Sequence, residues 1–176
     1  MVACSAAQGM ALLPVEQGGP GIQRVPPALS GRTDASVYIV NLPSDSASLG
    51  LVGYTPQLSE LIEDAMPLVW HLLARQSLPE QLPVYLFYVN PRDQIGTNAA
   101  RLLQLLKLMS GKAQIWVPVS TSHSAILHSL RLILPEAATL DLNHSSLLYV
   151  GDNANRKPMK AMAEACGMSF CFHALY

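Results

Sequence analysis

Asp152 follows the apolar run Leu147-Leu148-Tyr149-Val150 and a glycine, and stands just before a segment of helical character. A strand that ends in Gly-Asp before a helix puts a carboxylate at the C-terminal edge of a sheet, where α/β folds bind phosphate and metal. Polar groups follow three other apolar runs in the same way. Asn41, Pro43, Ser44 and Asp45 follow the first, Asn90, Arg92 and Asp93 the second, and Ser120, Thr121, Ser122 and His123 the third. Asn153, Asn155, Arg156 and Lys157 accompany Asp152. Aspartates, basic residues and hydroxyls together suit a phosphorylated ligand, with Mg²⁺ held by carboxylates. Asp45 and Asp152 are then the catalytic candidates, and Asp93 and Asp152 the metal candidates. Asn90, Ser120, Thr121, Arg156 and Lys157 are the ligand-binding candidates. The competing account is that these are solvated turn residues, because Asp, Asn and Ser favour turns through local hydrogen bonds.

Other chemistries lack support. There is no Gly-x-Gly-x-x-Gly and no Walker loop, so neither a dinucleotide nor a P-loop site is indicated. His71, His123, His128, His144 and His173 show no paired metal spacing, and no nucleophile elbow accompanies a serine. Cys4, Cys166 and Cys171 have no metal-ligand spacing, and the last two read as buried small hydrophobes.

The elements that must position these groups alternate along the chain. Val37–Leu42 is the first strand, β-branched and apolar on both faces. Thr55-Pro56 then starts a helix with Leu58, Leu61, Ile62, Ala65, Val69, Leu72 and Leu73 at helical spacing, which Pro67 should kink or split. Val84–Val89 is the second strand, followed by a helix over Thr97–Ser110 that Gly111 stops. Gln114–Val119 is the third, its pairing weakened on one edge by Pro118, and a helix capped at Ser120–Ser122 follows until Pro135. After the Asp152 strand, Asn155 caps a helix with Met159, Met162, Ala163 and Cys166 on its apolar face, and Ser169–His173 is the last strand. About five strands with interleaved helices give a three-layer, Rossmann-like open parallel sheet with helices on both faces. This single α/β domain covers residues 37–176.

Composition narrows the partners. Half of the 176 residues are hydrophobic and 13% are charged, which is little charge for a free monomer and suggests burial against protein partners. A net charge of −1 argues against holding nucleic acid by bulk electrostatics. No run reaches the roughly 18 apolar residues of a membrane span, and no secretory signal is evident, which fits a soluble intracellular protein. Residues 1–36 hold Pro14, Pro20, Pro26 and Pro27 without sustained periodicity, as in an extended or disordered arm that could also carry organelle targeting.

The order of exit loops resembles the haloacid-dehalogenase (HAD) phosphatase superfamily, in particular its polynucleotide 3′-phosphatase type. Tyr149-Val150-Gly151-Asp152-Asn153-Ala154-Asn155-Arg156 matches that family's final motif at Val, Gly, Asp, Ala and Arg, and Tyr88-Val89-Asn90 with Gly96 is similar to its second motif. The resemblance implies a nucleophilic Asp where Asn41 stands, an acid/base Asp at Pro43 and a phosphoryl-holding Thr at Val89; its Lys would fall near His128. An amide oxygen does not form an aspartyl-phosphate, and proline transfers no proton. Only Asp152 survives as an Mg²⁺ ligand. Ile39–Leu49 with Asn90–Gly96 also resembles the Toprim domain, which leaves the Asp152 turn unexplained.

The expectation is a catalytically inactive, HAD-like domain acting as a structural or binding subunit of a larger assembly, without a cofactor. The alternative is an Mg²⁺-dependent phosphohydrolase or nucleotide-processing enzyme using Asp45, Asp93 and Asp152. A degenerate nucleic-acid-associated module using Arg92, Arg156, Lys157 and Lys160 is the third reading.

Overall fold

The computed structural model describes residues 21–42, 56–76 and 82–175. In chain order these form β1 (Ile22–Arg24), α1 (Pro27–Ser30), β2 (Val37–Val40), α2 (Pro56–Gln76), β3 (Val84–Tyr88) and α3 (Ile95–Met109). Then come β4 (Gln114–Val119), α4 (His123–Ala137), β5 (Ser145–Gly151), α5 (Arg156–Ala165) and β6 (Ser169–Ala174). One six-stranded sheet runs in the order β1-β2-β3-β4-β5-β6. β2 to β6 are parallel, and β1 is antiparallel to β2.

Strand alternation splits the core into two layers. Tyr85, Phe87, Trp116, Leu147 and Tyr149 face α3, α4 and α5, while Leu86, Ile115, Val117, Leu148 and Val150 face α2. β4 and β5 are buried along their whole length because both of their faces are covered. The expected three-layer α/β sandwich is therefore the fold.

Several local expectations change. Of the arm expected over residues 1–36, residues 1–20 lie outside the described residues, and the remainder contributes β1 and α1: Val25 and Leu29 join the core beside α2, and Trp70 Nε1 donates to Ser30 O at 2.7 Å. A three-residue edge strand and a four-residue helix are too short to show a period. Pro67 does not split α2; it lies on the exposed side of a continuous 21-residue helix. Pro135 sits inside the last turn of α4, which continues to Ala137. Asn155 does not cap α5; Asp152 instead accepts from Ala154 N at 2.8 Å and caps a 3₁₀ turn over Asn153–Asn155. Gly111 does end α3, in the left-handed region at φ +79°, and its N–H reaches Asp141 O at 2.8 Å.

The strand order carries a topological consequence. Connections of one hand along a monotonic order would stack every helix on one face. α2 lies on the face opposite α3, α4 and α5, so the β2–α2–β3 connection has the opposite hand to the three that follow it. The right-handed preference that governs about 98% of such units is broken at least once. The chain leaves β2 and β3 toward opposite faces, which is the condition for a crevice at the C-terminal edge between them.

Candidate functional site

The β2/β3 crevice is plugged by carboxamides. Asn41, just past β2, has φ +71°, a region that Asn enters more readily than other side-chain-bearing residues. Its Nδ2 donates to Tyr88 O at 2.7 Å and to Asn98 Oδ1 at 3.0 Å, and its Oδ1 accepts from Arg101 at 2.8 Å. Asn98, only 1% exposed on α3, also accepts from Asn90 N at 3.0 Å and donates to Asn90 O at 2.9 Å. Asn90 Oδ1 accepts from Arg92 N at 3.0 Å, and Asp93 stands 3.6 Å from Arg101. The polar atoms at this end of the sheet thus bond to one another.

The β4/β5 end is open. Ile115 N and Val119 O bond toward β3, so alternation directs the backbone of Pro118 toward β5. Proline has no N–H to give there, and the β4–β5 ladder ends at Trp116↔Leu147, whereas β3–β4 pairing continues to Tyr88↔Val119. Beyond that point a cavity of about 610 Å³ opens, floored by Leu61 and Ala65 of α2, Val119 and Val150, with Leu175 at its side. Asp64, Ser120, Thr121 and His123 supply its polar lining.

The wall of this cavity is held by a small network. Tyr149 OH lies 3.0 Å from His123 Nδ1 and accepts from Asn155 Nδ2 at 3.1 Å. Gly151 is required beneath it: a Cβ there would stand 2.5 Å from the Tyr149 ring and 2.7 Å from His123 Nδ1. Burial pushes the His123 imidazole below its ordinary value, and the nearby Asp152 carboxylate partly opposes that shift. Burial thus disfavours the charged form of the imidazole. Ser120 Oγ donates to Val89 O at 2.6 Å and accepts from Ser122 N at 3.0 Å, so the hydroxyl ties β3 to the start of α4.

The sequence candidates fall into separate groups. Asn41, Asn90 and Asp93 meet at β2/β3, while Ser120 and Thr121 line the cavity at β4/β5. Asp152, Arg156 and Lys157 are exposed beyond β5, with Arg156 5.7 Å from the centre of the Phe172 ring. Val89 is buried in the core facing α3. Pro43 and Asp45 lie outside the described residues. Asp93 and Asp152 leave strands that β4 separates, so they do not form the joint metal site expected of them. Among the described residues, no group of three or more His, Cys, Asp or Glu side chains could hold a metal ion.

Four contributors escaped the sequence reading. Asn98 carried a signal, a polar residue on the same helical stripe as Leu102 and Met109. Tyr149 stands in the sequence only as part of an apolar strand run, and Asp64 and Arg101, polar positions of helical segments, carry no signal of their own.

No family model matches the chain, and no curated protein or solved structure is significantly similar to it. Among the described residues, no helix is long and apolar enough to cross a membrane.

Proposed function

We propose that this chain is a non-catalytic α/β domain that binds a ligand and serves as a subunit of a larger assembly, on a frame similar to that of the HAD phosphatases. One observation carries the reading. At the position of the family's nucleophile, the Asn41 amide is 4% exposed and both of its polar atoms are bonded inside the protein. A nucleophile must instead present an oxygen to substrate.

The sheet order adds to this. Asn41 and Asp152 leave strands with two others between them, a separation of roughly 14 Å at ~4.8 Å per strand, too far to share one metal or phosphoryl group. The resemblance to the phosphatases therefore rests on the Val150–Arg156 sequence motif and the α/β class of fold alone. The assembly half of the proposal is supported by the low charge content.

The test is phosphatase activity with Mg²⁺ on an aryl phosphate and a 3′-phosphorylated oligonucleotide, for the wild type, Asp152→Ala and Asn41→Asp. No turnover is expected from any of them, the restored carboxylate being held by Arg101 away from substrate. Wild-type turnover abolished in Asp152→Ala would overturn the reading. For the assembly, sedimentation of the purified chain as a stable, well-folded monomer over the whole accessible concentration range would remove the support that composition lends.

A further inference from the structure

We propose that the cavity at the C-terminal edge between β4, β5 and α2 binds a small amine, a molecule with an apolar body and one protonated nitrogen. The proposal rests on the binding reading above and gives it a ligand class. At about 610 Å³ the cavity lies within the range of roughly 300–1,000 Å³ typical of small-molecule sites. Its lining is also that of such sites: aliphatic side chains with a few polar groups among them.

The sign of the charge follows from those polar groups. Among the described residues, Asp64 is the one that lines the cavity with a charge at neutral pH, and no described Lys or Arg lines it. Burial holds the His123 imidazole below its ordinary value, which disfavours its cationic form. The Asp64 carboxylate beside an apolar floor attracts a cation and repels an anion. A bare metal ion is a poor occupant, because the remaining lining is aliphatic and a hard cation needs about six oxygen ligands. An organic ammonium needs one counter-charge and gains from the apolar floor.

The opening has a structural cause in Pro118, whose missing N–H ends the β4–β5 ladder at the level where the cavity begins. The shape of the wall is set by Gly151, which admits Tyr149 and His123 at close range. Asp64 is an exposed helix residue, so its substitution leaves the packing of α2 on the sheet intact.

The test is a fluorescence titration of the full chain with two aromatic probes of opposite charge. Dansylcadaverine carries an ammonium group, and 1-anilinonaphthalene-8-sulfonate a sulfonate. Dansylcadaverine is expected to bind saturably at one site, more tightly than the sulfonate. Asp64→Asn should weaken it about three- to five-fold, the worth of a partly solvated ion pair. Asp64→Lys should reverse the preference between the probes. Absence of saturable binding, equal affinity for the two probes, or indifference of both to Asp64 would overturn the assignment. The phosphatase assay on the same preparation separates the two claims. Failed amine binding without turnover removes the ligand class and leaves the non-catalytic reading, whereas turnover removes that reading whatever the probes report.

Discussion

Two neighbouring regions of one sheet edge have exchanged the roles that topology would give them. Between β2 and β3 the chain departs to opposite faces and should leave a crevice, yet Asn41, Asn90 and Asn98 fill it and bond to one another. Between β4 and β5, followed by helices on the same face, no crevice is called for, yet a cavity opens where Pro118 withholds an N–H. Topology decides where a sheet can bind something; side chains and a single missing donor decide where it does.

The comparison breaks first if the β2/β3 plug is weak. Asn98→Ala leaves the Asn90 N–H and the Asn41 amide without their partner in a buried setting, and should lower the unfolding free energy by about 3–4 kcal/mol. Urea denaturation measures this, and a loss below 1 kcal/mol would mean that water replaces the carboxamide without penalty. At the other region, Gly151→Ala forces a methyl group against Tyr149 and His123, at a cost of about 2 kcal/mol. The same variant should weaken probe binding in the cavity; unchanged binding would detach the Tyr149–His123 wall from the site.

A smaller effect is expected from His123. Its folded pKa lies below the ordinary value of 6.5, so the unfolded chain takes up the proton first as pH falls. The wild type should therefore lose stability as pH drops through 6.5 toward the folded value, and level off below it. His123→Gln should lack this component, which makes the difference between the two denaturation curves the quantity to follow from pH 7.5 to 5. A difference that grows with rising pH above 7 would reverse the sign argued here. Smallest in stability is Pro118→Val. It restores a donor toward β5 and relaxes the unfolded chain, two opposed effects of about 1 kcal/mol or less each. Its signature is instead a narrower cavity with weaker dansylcadaverine binding, and an undiminished affinity would show that the ladder break is not what opens the site.

The sequence displays elements well and arrangement poorly. Runs such as Val84–Val89 and Gln114–Val119 are apolar on both faces because helices cover both sides, and that environment writes itself into composition. Strand order and crossover hand leave no periodic trace, so the separation of Asp93 from Asp152 could not be read. The Asp152 turn was legible as a turn at a sheet edge, but its carboxylate caps the next residues, as the local account of Asp in turns anticipates. Pro118 was seen to weaken one edge of its strand; that the weakened edge would face β5 depends on a pairing the sequence does not contain.

The placement of α2 also bears on how the chain can be made. α2 precedes β3 in sequence but packs chiefly on β4, β5 and β6, with His71 edge-on to His173 at 5.9 Å. During synthesis its apolar stripe is completed about ninety residues before the last strand of its docking surface exists. At about 5–20 residues per second, that stripe waits roughly five to twenty seconds for its partner. Nascent chains halted before β6 should therefore bind chaperones through Ile62, Val69 and Leu72, and release them once the final strand has cleared the ribosome.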